Sequence, residues 1–162
     1  MKKLRNSMGL LLLAFAITGC SSEEKPTEPV KAEVKAGPVQ EGGTVDVSFF
    51  EIAEKVKVTE AKAEKHIDLV ITADSEFNSV QSGYIFRDVV EQTYGFLQQS
   101  GIEWAETVTV GVMQGGSRVA QFTVETAKFE AGKNKNDSVL NASTIDRMDD
   151  DIREFGSLQD KW

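Results

Sequence analysis

One cysteine, Cys20, one histidine, His66, and three prolines, Pro26, Pro29 and Pro38, are all that 162 residues contain of these types. Without a second cysteine an intrachain disulfide is excluded, and the fold must rest on its apolar core. A lone histidine removes the partners on which Ser–His–Asp triads, Cys–His pairs and most zinc sites depend. Bases are scarce as well, 18 Lys and Arg against 26 Asp and Glu, for a net charge of −8. That balance speaks against nucleic acid, which needs a basic footprint. The apolar run Met8–Ile17 has about ten residues, well short of the roughly 20 that span a bilayer.

What the N-terminus does contain is ordered. Lys2, Lys3 and Arg5 precede the apolar run with no acid among them, and the run ends in Ile17-Thr18-Gly19-Cys20. This order is that of a signal peptide. The last four residues resemble the lipobox of bacterial lipoproteins, an aliphatic residue and two small ones before a cysteine. The resemblance covers residues 1–20. It implies that Cys20 Sγ takes a diacylglyceryl group through a thioether, and that a signal peptidase cuts between Gly19 and Cys20. In many Gram-negative members of that class the freed amine is acylated too. Two or three acyl chains of the palmitate type, at about 0.8 kcal/mol per buried methylene, hold a protein on a membrane. Ser21, where aspartate favours inner-membrane retention in the class, implies the outer membrane, facing the periplasm. Left unlipidated, Cys20 would be an odd free thiol in an oxidising compartment.

Removing residues 1–19 takes away three bases and no acid, so the remaining 143 residues carry 15 bases, 26 acids and a net charge of −11. Anionic lipid would repel such a chain, which leaves anchoring to the acyl chains. Solubility and a preference for basic partners follow from the same charge. The length suffices for one domain.

Three segments are expected: the signal peptide 1–19, Cys20 with a tether to residue 43, and a single domain over 44–162. Ser21–Gly43 holds all three prolines, alternates Lys with Glu and has no aromatic residue, a composition that cannot offset the entropy of ordering. As a coil it would reach on the order of 25–30 Å. Beyond it, Val45 and Val47 suggest a short strand, and Phe49, Ile52, Ala53 and Val56 fall at helical spacing. Ile67, Leu69 and Ile71 alternate as a half-buried strand, with residues 60–65 open to either strand or helix. Asp74-Ser75-Glu76 supplies turn and cap chemistry. Val80–Gln99 has the apolar spacing of a main helix, with Arg87, Asp88, Glu91, Gln92 and Gln98 on its polar side. Glu106–Glu125 is a hairpin about Gly115-Gly116. Thr126–Ala142 looks like a polar loop, and Ile145–Leu158 a final helix capped by Ser143 or Thr144. The expected fold class is α+β: a small antiparallel sheet with helices packed on one face, in the order β-α-β-β-α.

No catalytic, cofactor or metal constellation stands out. His66 reads as a surface residue. The acids Asp146, Asp149, Asp150, Asp151 and Glu154 and the segment Asn134–Ser138 lack the curved loop of six to eight oxygens that calcium needs. Ser82-Gly83-Tyr84 departs from the Ser-Gly-x-x-Tyr element of lipoprotein lysozyme inhibitors, which are β-barrels. Here tyrosine follows the glycine directly and Phe86 stands where that tyrosine belongs. Gly83 is read instead as a close helix–sheet contact. Met113–Arg118, Trp104 and Trp162 combine residue types favoured as binding anchors. The sequence therefore points to a membrane-anchored envelope lipoprotein, not an enzyme, whose domain binds another envelope component in an accessory, inhibitory or assembly role. Two alternatives stay open: a carboxylate-dependent enzyme acting on glycan or peptidoglycan, and a structural lipoprotein without a specific ligand.

Overall fold

The computed structural model describes residues 37–158, so Gly19, Cys20, most of the expected tether and Trp162 lie outside the described residues. Six strands form one sheet in chain order: β1 (Val39–Glu41), β2 (Ala53–Ala61), β3 (His66–Ala73), β4 (Thr107–Gln114), β5 (Ser117–Glu125) and β6 (Ser143–Met148). Helix α1 (Ser82–Phe96) joins β3 to β4, α2 (Lys135–Asn141) lies between β5 and β6, and α3 (Asp150–Leu158) follows β6. The class is α+β. The sheet is mixed where an antiparallel one was expected: β1–β2 and β3–β4 are parallel and the other neighbours antiparallel. Parallel neighbours need a crossover of a dozen or more residues, and α1 supplies it between β3 and β4.

Alternation in the strands sets the core. In β3, Ile67, Leu69, Ile71 and Ala73 are buried, while His66, Asp68, Val70 and Thr72 are half-buried. Phe122 of β5 meets Phe86 of α1 edge to face at 5.7 Å, an aromatic geometry that adds to area burial. The hairpin forms as its sequence demands. Gln114 pairs with Ser117, leaving Gly115 and Gly116 as a two-residue loop with φ of +55° and +82°, the positive pair of a type I′ turn.

The main helix buries Gly83, Ile85, Phe86, Val89, Val90, Thr93 and Phe96, and leaves Tyr84 exposed. The expected stripe is thus turned toward Ile85 and Phe96. Gly83 is a close contact, but with helix α3 rather than the sheet: a Cβ there would sit 2.2 Å from the Phe155 ring.

Elsewhere tertiary pairing overrides local spacing. The helical turns expected across Phe49–Val56 are absent; residues 45–52 form a turning loop and the chain enters β2 at Ala53. Val56 and Val58 are β-branched and find a partner strand in β3. Residues 60–65 finish β2, make a 3-10 turn at Lys62–Glu64 and close with Lys65 at φ 52°. The stretch read as a polar loop holds α2, whose N-cap is Asn134 and whose Val139 is buried. The expected helix from Ile145 is two elements. Residues Ser143–Met148 pair with β5 as β6, and α3 starts at Asp150, keeping Ile152 and Phe155 buried. The free edge of β5 offers a ladder of backbone hydrogen bonds that no helix over Ile145–Met148 could complete. Val39–Glu41, inside the expected tether, pairs with Lys55–Lys57.

Candidate binding groove

A concavity runs along α1. One wall is the loop 45–52, the other is the side of α1 bearing Asp88, Glu91, Gln92 and Gly95, and the hollow between them is about 780 Å³. It continues past Ser48, Glu51 and Gln92 into a second hollow of about 640 Å³ flanked by Glu76 and Phe77.

Both walls are built firmly. The Phe49 ring lies over Gly95, where a Cβ would come within 2.9 Å of it. Phe50 packs on Phe96 with ring centroids 5.7 Å apart. Gln99, just beyond α1, grips the loop from both sides: its Oε1 accepts from Asp46 N at 3.0 Å and its Nε2 donates to Asp46 O at 3.2 Å. Ser48 N donates to Asp46 Oδ1 at 2.9 Å, and that backbone bond holds the Asp46 carboxyl below its ordinary value. At the loop's start, Glu60 accepts from Thr44 N and, at 3.1 Å, from Val45 N. The Thr44 bond leads in lowering the Glu60 pKa, assisted by the Val45 amide and by Lys62.

The charged lining is mostly acidic, Glu51, Asp88 and Glu91 against Lys135. Asp88 Oδ1 is met by Arg87 Nη2 at 2.7 Å, while that guanidinium also sits 5.2 Å from the Tyr84 ring centroid. Glu91 is met by Lys135 Nζ at 3.0 Å. Glu51 is exposed and makes no hydrogen bond or ion pair among the described residues. Gln92 Oε1 is buried with no hydrogen-bond partner among the described residues, a state costing about 1–3 kcal/mol. The arrangement presents carboxylates and the aromatic rings of Phe49 and Tyr94. It suits a cationic hydrogen-bond donor with an apolar stem.

The outer positions of the sheet are different. Arg118 lies across Gly111, its Cζ 3.0 Å from where a Cβ would stand, and Nη1 donates to Gln121 Oε1. Gln121 Nε2 donates to Asp146 Oδ2 at 3.4 Å, as does Thr123 Oγ1 at 2.7 Å. Thr123 in turn bonds Thr109 at 2.7 Å. His66 Nδ1 meets Thr107 Oγ1 at 2.8 Å in the same face. This is a closed network.

The sequence candidates are scattered over these features. Arg118 is tied into the sheet network, and Gln114 is buried, its Nε2 donating to the carbonyls of Phe77 and Val80 at 3.0 and 2.8 Å. Trp104 is half-buried with Lys62 Nζ 5.7 Å from its ring. Asp146 belongs to β6 while Asp150 opens α3, so the two do not share a helix face. Asn134 caps α2 through Asp137 N at 3.3 Å. The groove residues had been visible only as the polar side of a helix. Asp88, Glu91 and Gln92 carry no sequence mark separating a solvated face from a groove wall, because the facing loop comes from some 40 residues earlier in the chain.

No family model, curated protein or solved structure matches this chain.

Proposed function

We propose that this chain is a lipid-anchored lipoprotein of the bacterial envelope, attached through acyl chains on Cys20, whose α+β domain binds another envelope component at the α1 groove. The observation that carries the binding reading is the groove itself, a firmly walled hollow of about 780 Å³ lined by Glu51, Asp88 and Glu91. The anchor rests on the lipobox resemblance of residues 17–20. Cleavage before Cys20, outer-membrane placement and a periplasm-facing domain belong to the same proposal. In this reading α1, α2 and α3 cover one face of the sheet, as the Phe86–Phe122 and Tyr84–Phe155 ring contacts suggest, and the groove opens on the helical side.

A carboxylate-dependent enzyme is less well supported. Glu51, Glu76 and Glu91 are exposed, so none occupies the apolar setting that keeps a general acid protonated near neutrality.

Two experiments test the proposal. Mass spectrometry of the membrane-extracted protein reads the N-terminus: a diacylglyceryl or triacyl Cys20 is expected, and an unmodified Met1 or Cys20 would overturn the anchor. In-cell photo-crosslinking from Gln98, on the groove rim, reads the binding role. One abundant envelope partner, crosslinked there and not from the exposed Arg147 on strand β6, is expected; equal, diffuse products from both positions would overturn it.

A further inference from the structure

We infer that β6 is a pairing edge for a second copy of this chain. Two β6 strands join antiparallel about a two-fold axis between Asp146 and Arg147, and the sheet runs on from one molecule into the other. This surface is separate from the α1 groove and does not depend on it.

β6 ends the sheet, with no strand beyond it among the described residues, and its Thr144, Ile145, Asp146 and Arg147 are exposed. Its pairing with β5 skips a residue. Gln121 faces Arg147 while Phe122 faces Ile145, so Asp146 is a bulge. Bonds at either end fix which backbone groups are already used. Glu125 N donates to Ala142 O at 2.8 Å and Asp149 N to Val119 O at 3.0 Å, so residues 142 and 149 turn toward β5. Alternation along an antiparallel strand, counted inward from each end, then directs the N–H and C=O of Ile145 and Met148 outward. These two stand three residues apart, where a regular strand offers such groups at every second residue.

That spacing selects the partner. A bulge ordinarily protects an edge, because a regular strand cannot match its extra residue. A second β6 can. With Ile145 against Met148 of the second copy, both strands place two residues between successive outward pairs, and each pair exchanges both backbone hydrogen bonds.

The side chains favour the same register on both faces. Ile145 and Met148 stand opposite the buried Phe122 and Ala120 of β5, on the core side. The pairing therefore sets Ile145, which is 38% exposed, against the second copy's Met148. Asp146 and Arg147 lie on the outer side, where Asp146 Oδ2 accepts from Thr123 and Gln121 and Arg147 stands opposite Gln121. Each Asp146 then faces the other copy's Arg147, opposite charges at cross-strand positions. The partner Arg147 now has, Asp149 at 3.4 Å, is an exposed ion pair of the kind worth little, so exchanging it costs little. A slip that faced Ile145 with Ile145 would set Ser143, on the core side, against Arg147 on the outer side. One patch thus complements itself, as a two-fold interface requires.

The test uses the full chain in detergent. Under mild oxidation Ile145→Cys/Met148→Cys should form a disulfide-linked dimer, since hydrogen-bonded cross-strand residues lie about 5.5 Å apart at Cα, within disulfide reach. Each single cysteine variant should bridge no more than the wild-type chain, whose Cys20 sets the background. By sedimentation equilibrium, Arg147→Asp should raise the dimer dissociation constant about tenfold, because only carboxylates then meet at the axis. Asp146→Arg/Arg147→Asp, which swaps the charges, should recover most of that loss, a rescue that mere damage to the strand would not allow. A covalent homodimer captured in cells from position 147 would add support, and is distinct from the envelope partner sought from Gln98. A chain that sediments as a monomer at every concentration would overturn the inference. So would a double-cysteine variant no better than its singles, bridging by Ile145→Cys alone, or a charge swap as weak as Arg147→Asp.

Discussion

The α1 groove and the outer face of the sheet display similar polar side chains, yet they are satisfied in opposite ways. On the sheet, Arg118, Gln121, Asp146, Thr123 and Thr109 form a continuous chain of hydrogen bonds. In the groove, Glu51 and Gln92 Oε1 stand without partners among the described residues while Phe49, Phe50 and Gln99 hold the walls in place. A closed network stabilises and rigidifies. An open set of acceptors on a firm frame costs stability, and in the proposed binding reading that cost is the one expected where function is placed on a rigid scaffold. Arg118, prominent in the sequence, belongs to the first kind; Gln92, inconspicuous there, belongs to the second.

The contrast is most strongly broken at Gly83. A Cβ there meets Phe155 at 2.2 Å with no space to yield, so Gly83→Ala should cost about 3 kcal/mol through overpacking. Chemical denaturation measures the loss. Hydrogen exchange should show it concentrated in α1 and α3, with the β4–β5 hairpin protected longest; uniform loss would mean that the two regions are not separable.

Next in size is Glu60, which anchors the start of the groove loop. Glu60→Gln should lose about 1–2 kcal/mol at pH 7, in the range for hydrogen bonds to a charged acceptor. Because the folded pKa of Glu60 lies below its unfolded value, its stabilisation is complete above the unfolded pKa and disappears as pH falls through the folded one. The gap between wild type and Glu60→Gln in urea midpoint should therefore close on acidification from pH 7 to pH 3. A gap that widens would refute the assignment.

The remaining two variants sharpen the comparison by their signs. Asp146→Ala removes the acceptor shared by Thr123 and Gln121 and should destabilise by about 1 kcal/mol. Gln92→Met removes a buried orphan acceptor at nearly constant volume and should stabilise by about 1 kcal/mol. Thermal melts of the two read the difference directly; a loss at both positions would show that Gln92 is satisfied in solution.

Legibility in the sequence followed the range of the interaction. The hairpin at Gly115-Gly116 and the strand Ile67–Ala73 were plain, since a positive-φ turn and period-two alternation are written in adjacent residues. Residues 145–148 read as helix in the sequence because Ile145, Met148, Ile152 and Phe155 fit a helical stripe, yet they belong to β6. Only the open edge of β5 decides between the two, and it lies about 20 residues away. The same holds for β1 and β2: Val39–Glu41 has no strand signal of its own and exists as a strand because Lys55–Lys57 is beside it.

The sequence by itself determined the single-domain length, the absence of disulfides, the acidic balance, the α+β class and the main helix, all properties of composition or of local period. Tertiary structure alone decided the mixed sheet, the contact of Gly83 with α3 rather than the sheet, and the joining of the loop 45–52 to α1 as a groove. The physical reason is one of distance along the chain. A groove is made of two walls, and whether a polar side chain faces water or an opposite wall depends on residues that the chain brings together only by folding.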